Sequence, residues 1–468
     1  MRYLLLMMVI GTSVYGQWFK PFFMDSTLRI DYYHTGTQNQ EHVQIDQFYL
    51  IPIWAGNPAA LLDTLNRGHY FVRVLDARTQ RLLYTRGFST LFNEWQTTTE
   101  AHQGTTRTFH ETIRIPFPRN PVVIEILTRN TQNIFGKMIA SWYFDPATTP
   151  VNSENRAADV VIVPLQQNGD PHQRVDLVIL AEGYRKEEKA AFLQTAQALV
   201  DTLMHIEPYA SRRQRFNITA LFVPSQESGT DDPRKGIFKS TALNTSFNTL
   251  NLQRYLMTTD NRTLQDVASA VPWDAMVILV NTAQYGGGGI YNLYACTAAN
   301  NRYTPYIFVH ELGHSFAGLG DEYYTSDVAY NEFYPRGVEP WEPNITALLH
   351  PPEVKWQPLV TPGVPIPTPW DKKTYDQWQQ EYRKQMASLQ GENTQQRQKL
   401  QRKFRQRMRN FFQRHPYRHV VGAFEGAGYA ATGLYRPALN CIMFSRTTAG
   451  FDPVCAQAID QTIQWLSK

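Results

Sequence analysis

The sequence predicts an α+β / α/β protein: an N-terminal β-sandwich, then an α/β region that carries a helical insertion. Three observations predict it. Residues 17–150 fall into short runs of two-residue alternation separated by turn residues. From residue 155 to 468, apolar strand-like runs alternate with helix-spaced ones, as expected for a sheet covered by helices. Residues 370–415 are polar and helix-forming, with few apolar positions.

In the first region, Leu28, Ile30 and Tyr32 alternate with Arg29, Asp31 and Tyr33. Residues 70–75 and 81–88 flank a polar turn at 76–80 and form a hairpin. Residues 122–127 and 138–143 are further strands, and short strands at this spacing make a sandwich. The region shows no ligand cluster or nucleophile constellation, so packing or positioning is its expected role. Residues 145–158 are polar, contain proline and read as a linker.

Beyond the linker, residues 175–180, 216–223 and 274–280 are expected as buried strands. Residues 187–205 carry helical spacing through Phe192, Ala196, Leu199 and Leu203, and 250–270 is expected to be helical. The glycines at 286–289 lack the Gly-Lys-Ser/Thr of a phosphate cradle. They read as a flexible loop feeding an edge strand at 290–297. The insertion reads as a solvated helical pair broken at Gly391. Its apolar residues, including Tyr375, Trp378, Tyr382, Phe404 and Met408, recur at spacings of three or four.

The chain has 468 residues, a length that suggests two or three domains. It begins with Arg2, an apolar run at 4–10, and the small residues Val14 and Gly16. Residues 1–16 therefore read as a secretory signal cleaved before Gln17, which implies a secreted or periplasmic protein. The apolar run is far short of the roughly 20 residues a membrane span requires, and no span is expected. Export permits disulfides, and Cys441 and Cys455 are the expected pair, with Cys296 free. Loss of Arg2 takes the net charge from +4 to +3, which points to no class of partner. Nine Lys or Arg and no acid lie between Arg397 and Arg418. Polyanion binding is one reading of that run. The interleaved Gln and apolar residues fit a solvated helix face better, and no nucleic-acid partner is expected.

The chemistry lies in YIFVHELGHSFAGLGDEYY, residues 306–324. Residues four apart share a helix face, so His310 and His314 can reach one ion. Neutral imidazole nitrogen suits Zn²⁺. Glu311 projects beside that ion and can take a proton from the attacking water, then pass it to the leaving amine. Gly318 and Gly320 can end the helix and turn the chain back toward the metal. A catalytic zinc needs a third protein ligand and an open position. Asp321 and Glu322 follow the turn. A short, rigid Asp suits direct ligation, so Asp321 is the expected ligand and Glu322 an orienting partner. The segment NCIMF resembles the methionine turn that metzincin peptidases carry beneath the metal, which implies that Met443 supports the histidines from below.

With these residues assembled, the chain resembles the IgA-peptidase-type family of secreted bacterial zinc metallopeptidases. The resemblance rests on HELGHSFAGLGDEY and is supported by FNEWQTT, GAFEGAGY, GLYRP and NCIM. It implies a small N-terminal β domain before a metzincin-like catalytic domain, one catalytic Zn²⁺ at His310, His314 and Asp321, and a protein or peptide substrate. Metzincins carry the third ligand one position earlier, where this chain has Gly320. The resemblance does not carry a particular substrate, because function lives in the site and its surroundings. The competing class is an inactive peptidase-like scaffold used for adhesion or polyanion binding. An intact Glu311 argues against it. Tyr429 and Tyr435 are candidates for stabilising the transition state.

Overall fold

A computed structural model describes residues 19–157, 159–324, 334–389, 394–446 and 450–467. The signal segment and Gly391 lie outside the described residues. The chain is a mixed α/β protein with a β-rich N-terminal region.

That region begins with a short turn of helix, α1 (Phe19–Phe22), and builds two antiparallel sheets. One has the order β2-β1-β5, from β1 (Phe23–Gly36), β2 (Glu41–Pro52) and β5 (Arg107–Pro118). The other has the order β4-β3-β6-β7, from β3 (Tyr70–Asp76), β4 (Leu82–Phe88), β6 (Val122–Arg129) and β7 (Phe135–Phe144). Leu28, Ile30 and Tyr32 of β1 share one core with Val72, Val74, Ile124 and Ile126. Two short helices, α2 (Leu91–Trp95) and α3 (Thr99–His102), lie between β4 and β5. Thr90 caps α2 through a reciprocal pair of bonds with Asn93.

On the other face of β1, Arg29 and Asp31 are buried too, while Tyr33 is exposed. Arg29 pairs with Asp31 at 2.6 Å and reaches Asp266, also at 2.6 Å. The second face of β1 is thus an ionic seam against the C-terminal region. The segment after β7 is pinned rather than loose: Leu50 N donates to Asn152 O, and Asn152 N donates to Phe48 O, both at 2.9 Å.

The C-terminal sheet has the order β14-β15-β13-β9-β10-β8. Its strands are β8 (Val161–Gln166), β9 (Val175–Glu182), β10 (Phe216–Phe222), β13 (Ala275–Val280), β14 (Gly287–Ile290) and β15 (Tyr294–Ala298). Two-residue strands β11 (Thr245–Ser246) and β12 (Met257–Thr258) pair with each other. The four central strands are parallel, and the edge strands β14 and β8 are antiparallel. On one face pack α4 (Lys189–Leu203), α6 (Thr304–Ala317) and the last helix, α9 (Pro453–Leu466). A hairpin of β16 (Phe424–Ala427) and β17 (Ala430–Arg436) lies near the site.

Three expectations need correction. The helix expected over 250–270 shrinks to α5 (Asn261–Ala268). Asn248, Leu250 and Asn251 have positive φ, which breaks a helix before Asp260 caps the one that forms. The glycine run is an edge strand, β14, not a loop. The insertion is a helical pair, α7 (Lys372–Ser388) and α8 (Thr394–Arg414), but not a loosely solvated one. Tyr375, Met408 and Phe412 are buried in the main core. Tyr382 stacks on Phe404 across the pair at 4.1 Å.

Candidate active site

Helix α6 carries the site and is fixed at both ends. Pro305 lies in its first turn, where its missing N–H costs nothing. Gly318, at φ +63°, ends it by donating to His314 O. Arg67 of the N-terminal region donates to Ala317 O at 3.1 Å, placing a cation at the negative end of the helix dipole. The glycines of β14 explain themselves here. A Cβ on Gly289 would sit 2.3 Å from Glu311 O, and one on Gly287 would sit 2.6 Å from Ile307 Cγ2. Only glycine lets the sheet edge lie this close to α6. Gly313 does the same below, with Met443 Sδ 3.0 Å from where its Cβ would be.

On this frame three ligand atoms converge. His310 Nε2 and His314 Nε2 are 3.3 Å apart. Asp321 Oδ1 lies 3.0 Å from the first and 3.3 Å from the second. Ligands on a tetrahedral ion with bonds of about 2.0–2.1 Å would be about 3.3 Å apart, so the triangle fits such an ion. Asp321 Oδ1 is buried and has no partner among the described residues besides these two imidazoles. His310 Nδ1 donates to Ile442 O at 3.1 Å, and His314 Nδ1 donates to Leu319 O at 2.5 Å. A carbonyl can only accept, so both Nε2 lone pairs are left for a metal.

The electrostatics agree. Burial opposes protonation of His314, but the Asp321 carboxylate outweighs it and raises its pKa to about 9. Burial likewise works against Asp321 ionising, yet the charge of His314 holds its carboxyl well below the usual range. Metal binding at this site therefore displaces a proton. Burial pushes the Glu311 carboxyl up, with the two imidazoles pulling the other way.

These residues form one wall of a cleft of about 740 Å³. Glu311 faces it together with His310, His314 and Asp321. The insertion supplies Tyr382, Phe404 and Arg405 to the same cleft, and the N-terminal region supplies Glu94 and Arg129. Neither contribution was visible in the sequence, because both come from folding distant segments together.

Asp321 and Glu322 separate cleanly. Glu322 N donates to Met443 O at 3.0 Å, and the Glu322 side chain points away from the histidines toward Cys455 and Asn344. The two tyrosines also separate. Tyr429 Oη donates to Asp321 Oδ2 at 2.5 Å, so its hydroxyl is committed to orienting that carboxylate. Tyr435 is bonded through its backbone to Thr346 and packs against the small core that holds Trp356, outside the lining of the cleft. Instead, Tyr323 and Arg254 line the cleft, with Arg254 Nη2 donating to Tyr323 Oη at 3.2 Å. Asn344 was also missed. It clamps Gly320 by accepting from its N at 2.8 Å and donating to its O at 2.9 Å. Lone Tyr, Arg and Asn residues carry no local signal that could have found them.

The expected Cys441–Cys455 bridge is not formed, and all three cysteines are buried free thiols. Cys455 Sγ meets Glu322 Oε1 at 3.2 Å, and Cys441 Sγ accepts from Asp452 N at 3.3 Å. Both of these sulfurs are engaged with a polar neighbour.

The sequence model of the IgA peptidase M64 family matches residues 163–463. The chain belongs to this family. The model of the peptidase M64 N-terminus matches residues 18–140, so the two matches cover nearly all of it. Membership in M64 makes the chain a peptidase of a metallopeptidase family, and the convergent triad lies inside the matched segment. No curated protein matches the chain. Among the described residues no helix is long and apolar enough to cross a membrane.

Proposed function

We propose that this M64 peptidase is a secreted zinc-dependent endopeptidase with a metzincin-like catalytic domain at residues 155–468. The observation that carries the reading is the meeting of His310 Nε2, His314 Nε2 and Asp321 Oδ1 on the wall of the cleft. Two imidazoles and one carboxylate would hold zinc and leave its fourth position facing substrate. Zinc bound there would polarise the scissile carbonyl and make water acidic enough to attack near neutral pH. Glu311 takes the proton of the attacking water and delivers it to the leaving amine. Its burial favours the role, since a carboxylate with a raised pKa takes a proton from water more readily than an ordinary one and still holds it weakly enough to pass it to an amine. Tyr429 fixes the Asp321 carboxylate. Arg254 and Tyr323 face the region where negative charge develops on the carbonyl oxygen. The helical pair α7–α8 shapes the cleft and limits which substrates enter.

The test is hydrolysis of an unfolded protein substrate by the mature chain. Activity should vanish with a strong chelator and return when zinc is added back. Full activity in chelator, or none under any metal loading, overturns the reading.

A further inference from the structure

A second group of ligand-type side chains lies behind the Met443 turn. Glu322, Cys441, Asp452 and Cys455 each offer a donor atom, and these atoms all lie within 4.8 Å of one another. Glu322, Cys441 and Cys455 are 0% exposed and Asp452 is 5% exposed. They come from three segments: the stretch after α6, the turn that carries Met443, and the start of α9.

Half of each carboxylate is accounted for. Asp452 Oδ1 accepts from Val454 N at 2.7 Å and Cys455 N at 3.1 Å. Glu322 Oε1 accepts from Asn344 Nδ2 at 3.0 Å and from Cys455 Sγ at 3.2 Å. The other halves are not. Glu322 Oε2 and Asp452 Oδ2 are buried and meet no N–H or S–H donor among the described residues, and the two carboxyls lie close enough to share a proton. Buried polar atoms in native proteins nearly always have a partner, and an exception calls for an ion or a proton. The fully buried Arg436 is near enough to feel Glu322, but it donates to main-chain carbonyls, with Gly426 O at 2.6 Å.

The protein solves the same problem differently elsewhere. Glu41 and Glu111 are also buried, and His34 lies between them, with nitrogens 3.3 and 3.0 Å from their oxygens. No such cation lies between Glu322 and Asp452 among the described residues. Two thiols stand there instead.

We propose that Glu322, Cys441, Asp452 and Cys455 bind a second divalent metal ion, in a closed structural site of zinc type. Four protein ligands leave no open position, which distinguishes a structural site from a catalytic one. Thiolate donors select zinc-like ions over calcium or magnesium. Binding would release the thiol protons and balance the buried anions. The ion would tie the backbone after Asp321 to the Met443 turn and to α9, so it would hold the third catalytic ligand and the floor under α6 in register. Asn344 touches both sites, through Gly320 on one side and Glu322 on the other.

The test uses the full mature chain, kept reduced and loaded with zinc alone, with metal counted by native mass spectrometry. About two ions per chain are expected, one catalytic and one structural. His310→Ala should retain about one, and X-ray absorption on that variant should show sulfur at about 2.3 Å. Cys441→Ser should retain about one ion with no sulfur ligand. If Cys441→Ser does not fold, the His310→Ala spectrum decides alone. A metal-free His310→Ala, a remaining ion without sulfur, or a Cys441–Cys455 disulfide in unreduced peptide maps overturns the proposal. So does a single ion in the wild type that is lost in His310→Ala, which would mean Glu322 and Asp452 share a proton. None of these readouts depends on peptidase activity.

Discussion

Asp321 and Glu322 are consecutive buried carboxylates that face two chambers of opposite character. Asp321 turns toward two imidazoles at the edge of a cleft of about 740 Å³, and its inward oxygen is left free. Glu322 turns into a sealed space with two thiols and a second carboxylate. The first chamber has three ligand atoms and access to substrate. The second has four and no access. Reactivity and stiffness are thus separated by one residue of backbone. On the proposed reading, the segment that must not move in the first chamber is anchored by the second.

The largest effect should come from breaking the open chamber's chemistry without touching its ligands. Glu311→Ala should lower kcat by about 10³-fold or more, near the top of what general acid–base groups contribute, while the metal stays bound. Steady-state kinetics with a metal assay on the same sample checks both halves. Wild-type turnover in this variant removes Glu311 from the mechanism.

Exchanging the two carboxylates sharpens the contrast next. Asp321→Ala should loosen the catalytic metal by more than about 100-fold, beyond the usual loss for an outer partner. Glu322→Ala should leave the affinity at His310 and His314 within about tenfold. Competition with a chelating dye, monitored in the Cys441→Ser background to isolate one site, reads this directly. The reverse order would mean that the wrong carboxylate has been assigned to the histidines.

A smaller effect is expected at Tyr429, which touches the ligand and not the metal. Tyr429→Phe removes the bond to Asp321 Oδ2 and should cost about tenfold in metal affinity or activity. Tyr435→Phe, outside the cleft, should cost neither. Equal losses in the two variants would show that the distinction between them is false.

The last effect concerns stability and not catalysis, at the buried carboxylates that need no metal. Burial opposes protonation of His34, but Glu111 and Glu41 outweigh it and raise its pKa to about 9 from 6.5. A raised folded-state pKa stabilises below pH 6.5 and is lost as pH climbs toward 9. Stability should fall by about 1 kcal/mol per pH unit across that window. His69, whose pKa burial lowers to about 4, is neutral in both states there and does not interfere. Urea unfolding of metal-loaded protein at several pH values measures the slope, and His34→Gln should make it shallower by about that amount. An unchanged slope in that variant would place the pH dependence elsewhere.

Much of this was legible in the sequence for a physical reason. Strand and helix periods are local, so β1, β3, β4, β6, β9, α4 and α6 fall where alternation and helical spacing put them. His310, Glu311 and His314 share a helix turn, and their mutual placement follows from helix geometry alone. The preference for Asp321 over Glu322 also came from local reach. What only the tertiary structure decided are contacts between distant segments. The glycines of β14 read as a loop because nothing local shows that α6 lies against them. The insertion read as solvated because its partners, Tyr324 and the core beneath α6, are far away in sequence. Cys441 and Cys455 read as a disulfide because nearness in sequence does not reveal that Glu322 and Asp452 stand between the same walls. Sequence determines what each segment can offer, and long-range packing decides which atoms meet, since a side chain's partner depends on every fold of the chain between them.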